Sequence, residues 1–182
     1  MVLKSLSKLS KVKRVVVDTF QSVTGTGAAA LQELEDQSSK ILSNQNFSVN
    51  EYPHQIAFNV LPHIEPFQEN GYTREEMKMV YETRKILHNE QLMVSATCVR
   101  VPVPISQSES MHIEFEDNVS PDEVRQILST EAGIKVMDDP FSDVYPIPIQ
   151  ATGIDDVLVG RIRKDVSHPN GIAMWVVCDN LR

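Results

Sequence analysis

Thiols are scarce in this chain: 182 residues include two cysteines, Cys98 and Cys178, each inside an apolar, strand-like run. Neither belongs to a CxxC pair or to a Cys/His cluster with metal-ligand spacing, so no metal site is expected. The lack of a disulfide framework and of a signal peptide favours a reducing, cytoplasmic setting, and the sequons at Asn46 and Asn118 then carry no weight. No run of about 18 apolar residues occurs, which excludes a membrane-spanning helix. Positive charge is also short. A net charge of −8 and a pI near 5.1 argue against a nucleic-acid partner. Glycine-rich nucleotide loops are missing too. Gly25 and Gly27 in TGTG precede a helical stretch, but the third glycine of a dinucleotide fingerprint and the Gly-Lys-Ser/Thr of a phosphate loop are absent. TGTG reads as a strand-to-helix turn.

The length suits one core, and residues 1–182 are expected to form one domain. Val2, Leu6 and Leu9 make an apolar helical stripe with Lys4, Lys8 and Lys11 off it, so the Lys/Ser-rich start reads as an internal helix, not a targeting peptide. Residues 14–20 follow as a buried strand carried by Val15, Val16 and Val17, and 28–42 as a helix. Residues 43–55 are polar and aperiodic, a loop. Thr73 and Glu76 form a capping box for a helix to about Leu87, and Ser120-Pro121-Asp122-Glu123 opens another. Residues 92–103 read as a strand with Val94, Ala96 and Cys98 on one face and Val99, Val101 and Val103 on the other. Met111, Ile113 and Phe115 alternate with polar residues as a half-exposed strand. Two final strands, 157–164 and 171–178, are joined by a turn at His168-Pro169-Asn170-Gly171. Strands follow one another without an intervening helix at two places, so strict βαβ alternation is absent. The expected class is α+β: a mixed β-sheet with helices packed on one face.

Cysteine nucleophiles need a base or a positive environment and solvent access. Cys98 shares a strand face with Arg100, yet Val94 and Ala96 precede it there, and both thiols read as structural. An arginine among apolar strand neighbours requires an anionic partner. Lys78 and Glu82, at i and i+4, admit a second reading as a plain surface pair.

Six strings, in order along nearly the whole chain, carry a resemblance. VVVDTFQSVTGTG, IAFNVLPHI, YTREEMKMVYETRKIL, VSATCVRVPV, the SES of residues 108–110, and VGRIRKD with MWVVCDNL resemble the C-terminal domain of bacterial aspartate-semialdehyde dehydrogenase. The resemblance implies an α+β unit similar to the C-terminal domain of glyceraldehyde-3-phosphate dehydrogenase, supplying substrate contacts and a homodimer interface. It implies that the whole enzyme makes L-aspartate 4-semialdehyde from L-aspartyl-4-phosphate with NADPH through a thioacyl intermediate. That reaction serves lysine, threonine and methionine biosynthesis, with NADP(H) held by an N-terminal Rossmann domain and no cofactor bound by this chain alone. By position, Gln21 matches the glutamine that orients the acyl group. Glu75 and Lys78 match the pair near the phosphate, and Arg100 matches the clamp on the aspartyl carboxylate; these tasks suit a point charge and a planar fork respectively.

The sequence departs from the family pattern in two ways. The slot of the catalytic histidine, seven residues past Arg100, holds Gln107, an amide that cannot exchange a proton near neutral pH. His112 is expected at a polar surface position, and His54, His63, His88 and His168 in loops or helix ends. The chain also begins a few residues after the point where the family carries its nucleophilic cysteine, as expected of a partial gene whose product is inactive alone. A non-catalytic dimerising paralogue is the alternative, and a domain like that of the acyl-phosphate reductase of arginine biosynthesis ranks below it. Val99, Val101, Val103 and Trp175 are candidates for core or interface.

Overall fold

The structure, a computed structural model, describes residues 1–182. Its elements are α1 (Val2–Leu6), β1 (Val12–Gln21), α2 (Ala28–Leu42), α3 (Arg74–Ile86), β2 (Met93–Arg100), β3 (Gln107–Phe115), α4 (Pro121–Ser129), β4 (Ile134–Val136), α5 (Pro148–Ala151), β5 (Val157–Lys164) and β6 (Gly171–Cys178). The strands form one six-stranded mixed sheet in the order β2-β1-β3-β6-β5-β4. β1 pairs parallel with β2 and antiparallel with β3, so the expected mixed sheet is present.

Strand alternation gives the sheet two unlike faces. Val15, Val17, Met111, Ile113, Ile172, Met174 and Val176 point to one side and form the main core with Leu6 of α1 and Val124 and Leu128 of α4. Met79 of α3 and Leu87, which caps that helix, pack on the same cluster. The other face carries Val16, Phe20, Val99 and Trp175, all partly exposed, with only the segment holding α5 covering one corner through Ala151, Leu158 and Val177. Helix α2 lies off the sheet, packing Ala30 and Leu34 on Val23, Ile56 and Leu61.

Both sheet edges are managed. On the β2 edge, the Cys98 amide donates to the buried Glu76 carboxylate at 3.0 Å, and Arg100 exchanges backbone hydrogen bonds with Leu61 at 2.8 and 2.9 Å. Near the other edge β5 bulges, with Arg161 in the left-handed region at φ 53°. A clamp secures the bulge: Asp138 accepts from Arg125 at 2.7 Å, and Arg125 donates onward to the Ile162 carbonyl at 2.7 Å. Glycine is required beside it, since a Cβ at Gly160 would stand 2.2 Å from the Met137 carbonyl oxygen.

Several elements differ from the expectation. The first helix stops at Leu6 instead of following its stripe to Leu9 and Lys11, because residues 7–10 turn to lead into β1. The strand expected to reach Val103 ends at Arg100, just before Pro102, which has no amide to donate to a ladder. β3 begins at Gln107, four residues earlier than the apolar alternation indicates.

Candidate functional site

Topology brings the expected residues to one end of the sheet. Because β1 and β2 run parallel, their last residues, Gln21 and Arg100, are register partners. Because β3 runs the other way, its first residue, Gln107, sits opposite Gln21. Helix α3 adds Glu75 from its first turn and Lys78 from the next. All five line a single cleft of about 750 Å³.

Arg100 is nearly buried at 6% exposure, and its Nη1 donates to the Ser22 carbonyl at 2.6 Å. No ion pair engages its guanidinium, and burial lowers its proton affinity somewhat, against the opposing fields of Tyr52 and Glu75. A buried cation facing a cleft without a counterion has the chemistry to receive an anion. The turn before it makes the room: a Cβ at Gly25 would lie 2.9 Å from Arg100 Nη1 and 3.7 Å from Gln107 Nε2. Gly25 thus serves the approach of a side chain, while Gly27, at φ 128°, serves the backbone turn into α2.

Glu75 binds on two sides. Gln21 Nε2 donates to its Oε1 at 3.1 Å and Lys78 Nζ to its Oε2 at 3.0 Å. Burial acts to raise the Glu75 carboxyl, but the hydrogen bonds from Gln21 and Lys78 and the lysine charge outweigh it and hold it below its ordinary value. Lys78 also meets Glu65 at 3.1 Å, so the surface pairing with Glu82 is not the one formed. The Gln21 amide is therefore fixed through a chain that begins at the Lys78 ammonium.

Three contributors escaped the sequence reading. Asn180 follows β6 and ties two turns together: its Oδ1 accepts from Ser22 Oγ at 3.0 Å and from the Ser106 amide at 2.8 Å. Ser22 holds Arg100, and Ser106, in a left-handed conformation at φ 79°, precedes Gln107. Tyr52 lines the cleft, and its hydroxyl donates to Thr26 Oγ1 at 3.0 Å. His63 also lines it, stacked on Phe67 with ring centroids 4.4 Å apart. A lone histidine in a polar loop gives no periodicity to read, and the DNL string carried resemblance without a role.

The other titratable candidates are elsewhere. His112 lies on the opposite face of the sheet from Arg100, with its Nδ1 2.8 Å from Asp165 Oδ2, so it does not replace the missing base. Cys98 is fully buried, which pushes its thiol up to about 11, and burial raises Cys178 as well. Neither thiol is an activated nucleophile.

Residues 3–182 match the family described as semialdehyde dehydrogenase, dimerisation domain. The aspartate-semialdehyde dehydrogenase of Aquifex aeolicus is 50% identical over 181 residues, covering 99% of this chain and 53% of the relative. That of Legionella pneumophila is 48% identical over 181 residues, covering 99% and 52%. Among solved structures, aspartate semialdehyde dehydrogenase II of Vibrio cholerae complexed with ASA superposes with a TM-score of 0.96 at 42% identity, covering 100% of this chain and 53% of that one. The Candida albicans enzyme with NADP shares the fold, with a TM-score of 0.70 at 24% identity over 98% of this chain and 49% of that one. This chain spans about half the length of the curated relatives it matches.

Proposed function

Since this chain belongs to the semialdehyde dehydrogenase dimerisation-domain family, we propose that it is the C-terminal, substrate-binding and dimerising half of an aspartate-semialdehyde dehydrogenase. One observation carries the reading: a buried, unpaired Arg100 guanidinium faces a cleft that also holds Gln21, Glu75 and Lys78. The fork of Arg100 receives the substrate's α-carboxylate in two parallel hydrogen bonds. Lys78 supplies positive charge for the acyl-phosphate end. Gln21, oriented by Glu75, presents its amide to the acyl group between them. The hydride is the nicotinamide cofactor's contribution, and the reading assigns both that cofactor and the nucleophilic cysteine to residues outside these 182. The partly exposed face with Val16, Phe20 and Trp175 is the surface on which two copies pair, a closed two-fold contact between identical faces.

Gln107 favours a second reading, a paralogue that binds and dimerises without turnover. A glutamine holds a hydrogen bond at that wall but moves no proton. The two readings share the binding site and part at catalysis. Titration with aspartate semialdehyde is expected to show binding that Arg100→Lys, which loses the fork, weakens by roughly tenfold or more, the scale of a charge-assisted bond. Binding indifferent to Arg100 sinks both readings. With the nucleotide-binding half of a relative supplied, NADPH-dependent turnover that rises on Gln107→His supports the enzyme, and turnover absent from both forms supports the paralogue.

A further inference from the structure

Lys78 is already engaged before any ligand arrives. Two carboxylates share its ammonium, Glu75 at 3.0 Å and Glu65 at 3.1 Å. They are not held alike. Glu75 sits in the first turn of α3, where the helix dipole favours a carboxylate, and its other oxygen accepts the Gln21 amide at 3.1 Å. Glu65 lies in the loop between Pro62 and Pro66, in the left-handed region at φ 62°. Its only side-chain partners are Lys78 and the exposed Arg74, whose Nε is 3.4 Å away. Both belong to α3, so a rotation of the Glu65 side chain breaks no tie to the sheet.

The charge balance at Lys78 points the same way. With both carboxylates in contact the ammonium is fully paired, and Arg74 beside Glu65 brings the cluster to two positive and two negative groups, so an incoming anion meets no free positive charge there. With Glu65 turned aside, Lys78 offers a free donor to the cleft while Glu75 still orients Gln21. Resting on the function proposed above, we infer that Glu65 is a built-in competitor for the anionic end of the substrate: it occupies Lys78 in the empty cleft and is displaced on binding. A phosphate group, with about −1.5 to −2 charge near neutral pH, has the advantage over a single carboxylate in that exchange. Glu65 therefore sets how strongly an anion must bind to claim Lys78, which makes it a specificity-determining residue.

The test is titration of this chain with inorganic phosphate by calorimetry at low ionic strength, comparing the unsubstituted protein with Glu65→Gln, Glu65→Asp, Lys78→Met and the Glu65→Gln/Lys78→Met pair. Removing the competitor is expected to tighten phosphate binding roughly threefold, the scale of a half-exposed ion pair. The gain should shrink with added salt and vanish in the double variant, while Glu65→Asp, which keeps the charge, stays closer to the unsubstituted protein. Equal or weaker binding by Glu65→Gln, with Lys78→Met still losing affinity, overturns the inference and leaves the anion site standing. Phosphate binding that ignores Lys78→Met, or no binding by any form, removes the anion site and the inference together.

Discussion

At the scale of single residues, the site is a set of donors whose orientations are fixed by groups the sequence does not flag. Arg100 was legible because a charged residue among Val99, Val101 and Cys98 demands a partner. Gln21, Glu75 and Lys78 came only through resemblance, since a glutamine at a strand end and a Glu–Lys pair on a helix are ordinary by themselves. Asn180 was not legible at all: its partners, Ser22 and Ser106, lie far from it in the chain and become neighbours only through the register of β1, β3 and β6. Its removal has a predictable cost. Asn180→Ala leaves the Ser106 amide without its acceptor and the Ser22 hydroxyl with only Thr24 Oγ1, 3.2 Å away. The expected loss is ~2 kcal/mol, a Tm lower by roughly 4–8 °C for a domain of this size. Ligand affinity should fall as well, because Ser22 holds the guanidinium. Asn180→Asp keeps the accepting oxygens and should recover most of the Tm; equal losses in both variants would contradict the assigned geometry.

Elements were easiest to read where local chemistry is strong. Both capping boxes, Thr73 with Glu76 and Ser120 with Glu123, form as the sequence indicates. The start of β3 was hidden because Gln-Ser-Glu-Ser has little strand propensity; pairing with β1 and β6 overrides it. β4, three residues long, is too short for any alternation to register. The two boxes look alike in sequence but stand in different surroundings. Glu76 is buried, and its carboxylate accepts from the Thr73 amide at 2.7 Å and from the Cys98 amide of the β2 edge at 3.0 Å. Glu123 is solvent-exposed and serves only its own helix end. A glutamine offers one accepting oxygen in place of two, so Glu76→Gln orphans a buried amide and should cost ~1–3 kcal/mol. Glu123→Gln should shift the midpoint of denaturant unfolding far less. Parallel urea titrations decide it, and equal shifts would mean that the bridge from α3 to β2 contributes nothing.

At the scale of the whole molecule, the two faces of the sheet divide the labour. One face is covered by α1, α3 and α4, while the other leaves Val16, Phe20 and Val99 partly exposed beside Trp175, whose ring stands 5.4 Å from that of Phe20. Alternation in sequence separates the two faces without saying which is covered, because helices and a second copy demand the same apolar pattern. The helices cover the first face, which leaves the second as the pairing surface in the proposed reading. Arg14, Glu114, Asp18 and Arg163 share that face, and a two-fold axis lets such mixed charges pair across a contact instead of repelling. Val16 lies between His112 and Ser95 in the sheet register, away from the cleft. Val16→Glu places a carboxylate at the centre of the surface and buries it on pairing, a cost that a desolvated, unpartnered charge makes large. Sedimentation velocity at micromolar concentration should then show the dimer replaced by a monomer with an unchanged circular dichroism spectrum. An undiminished dimer would place the pairing surface elsewhere on the molecule. Since Val16 sits on the face opposite Arg100, phosphate and semialdehyde binding by the monomer measures whether the cleft of one copy stands complete without its partner.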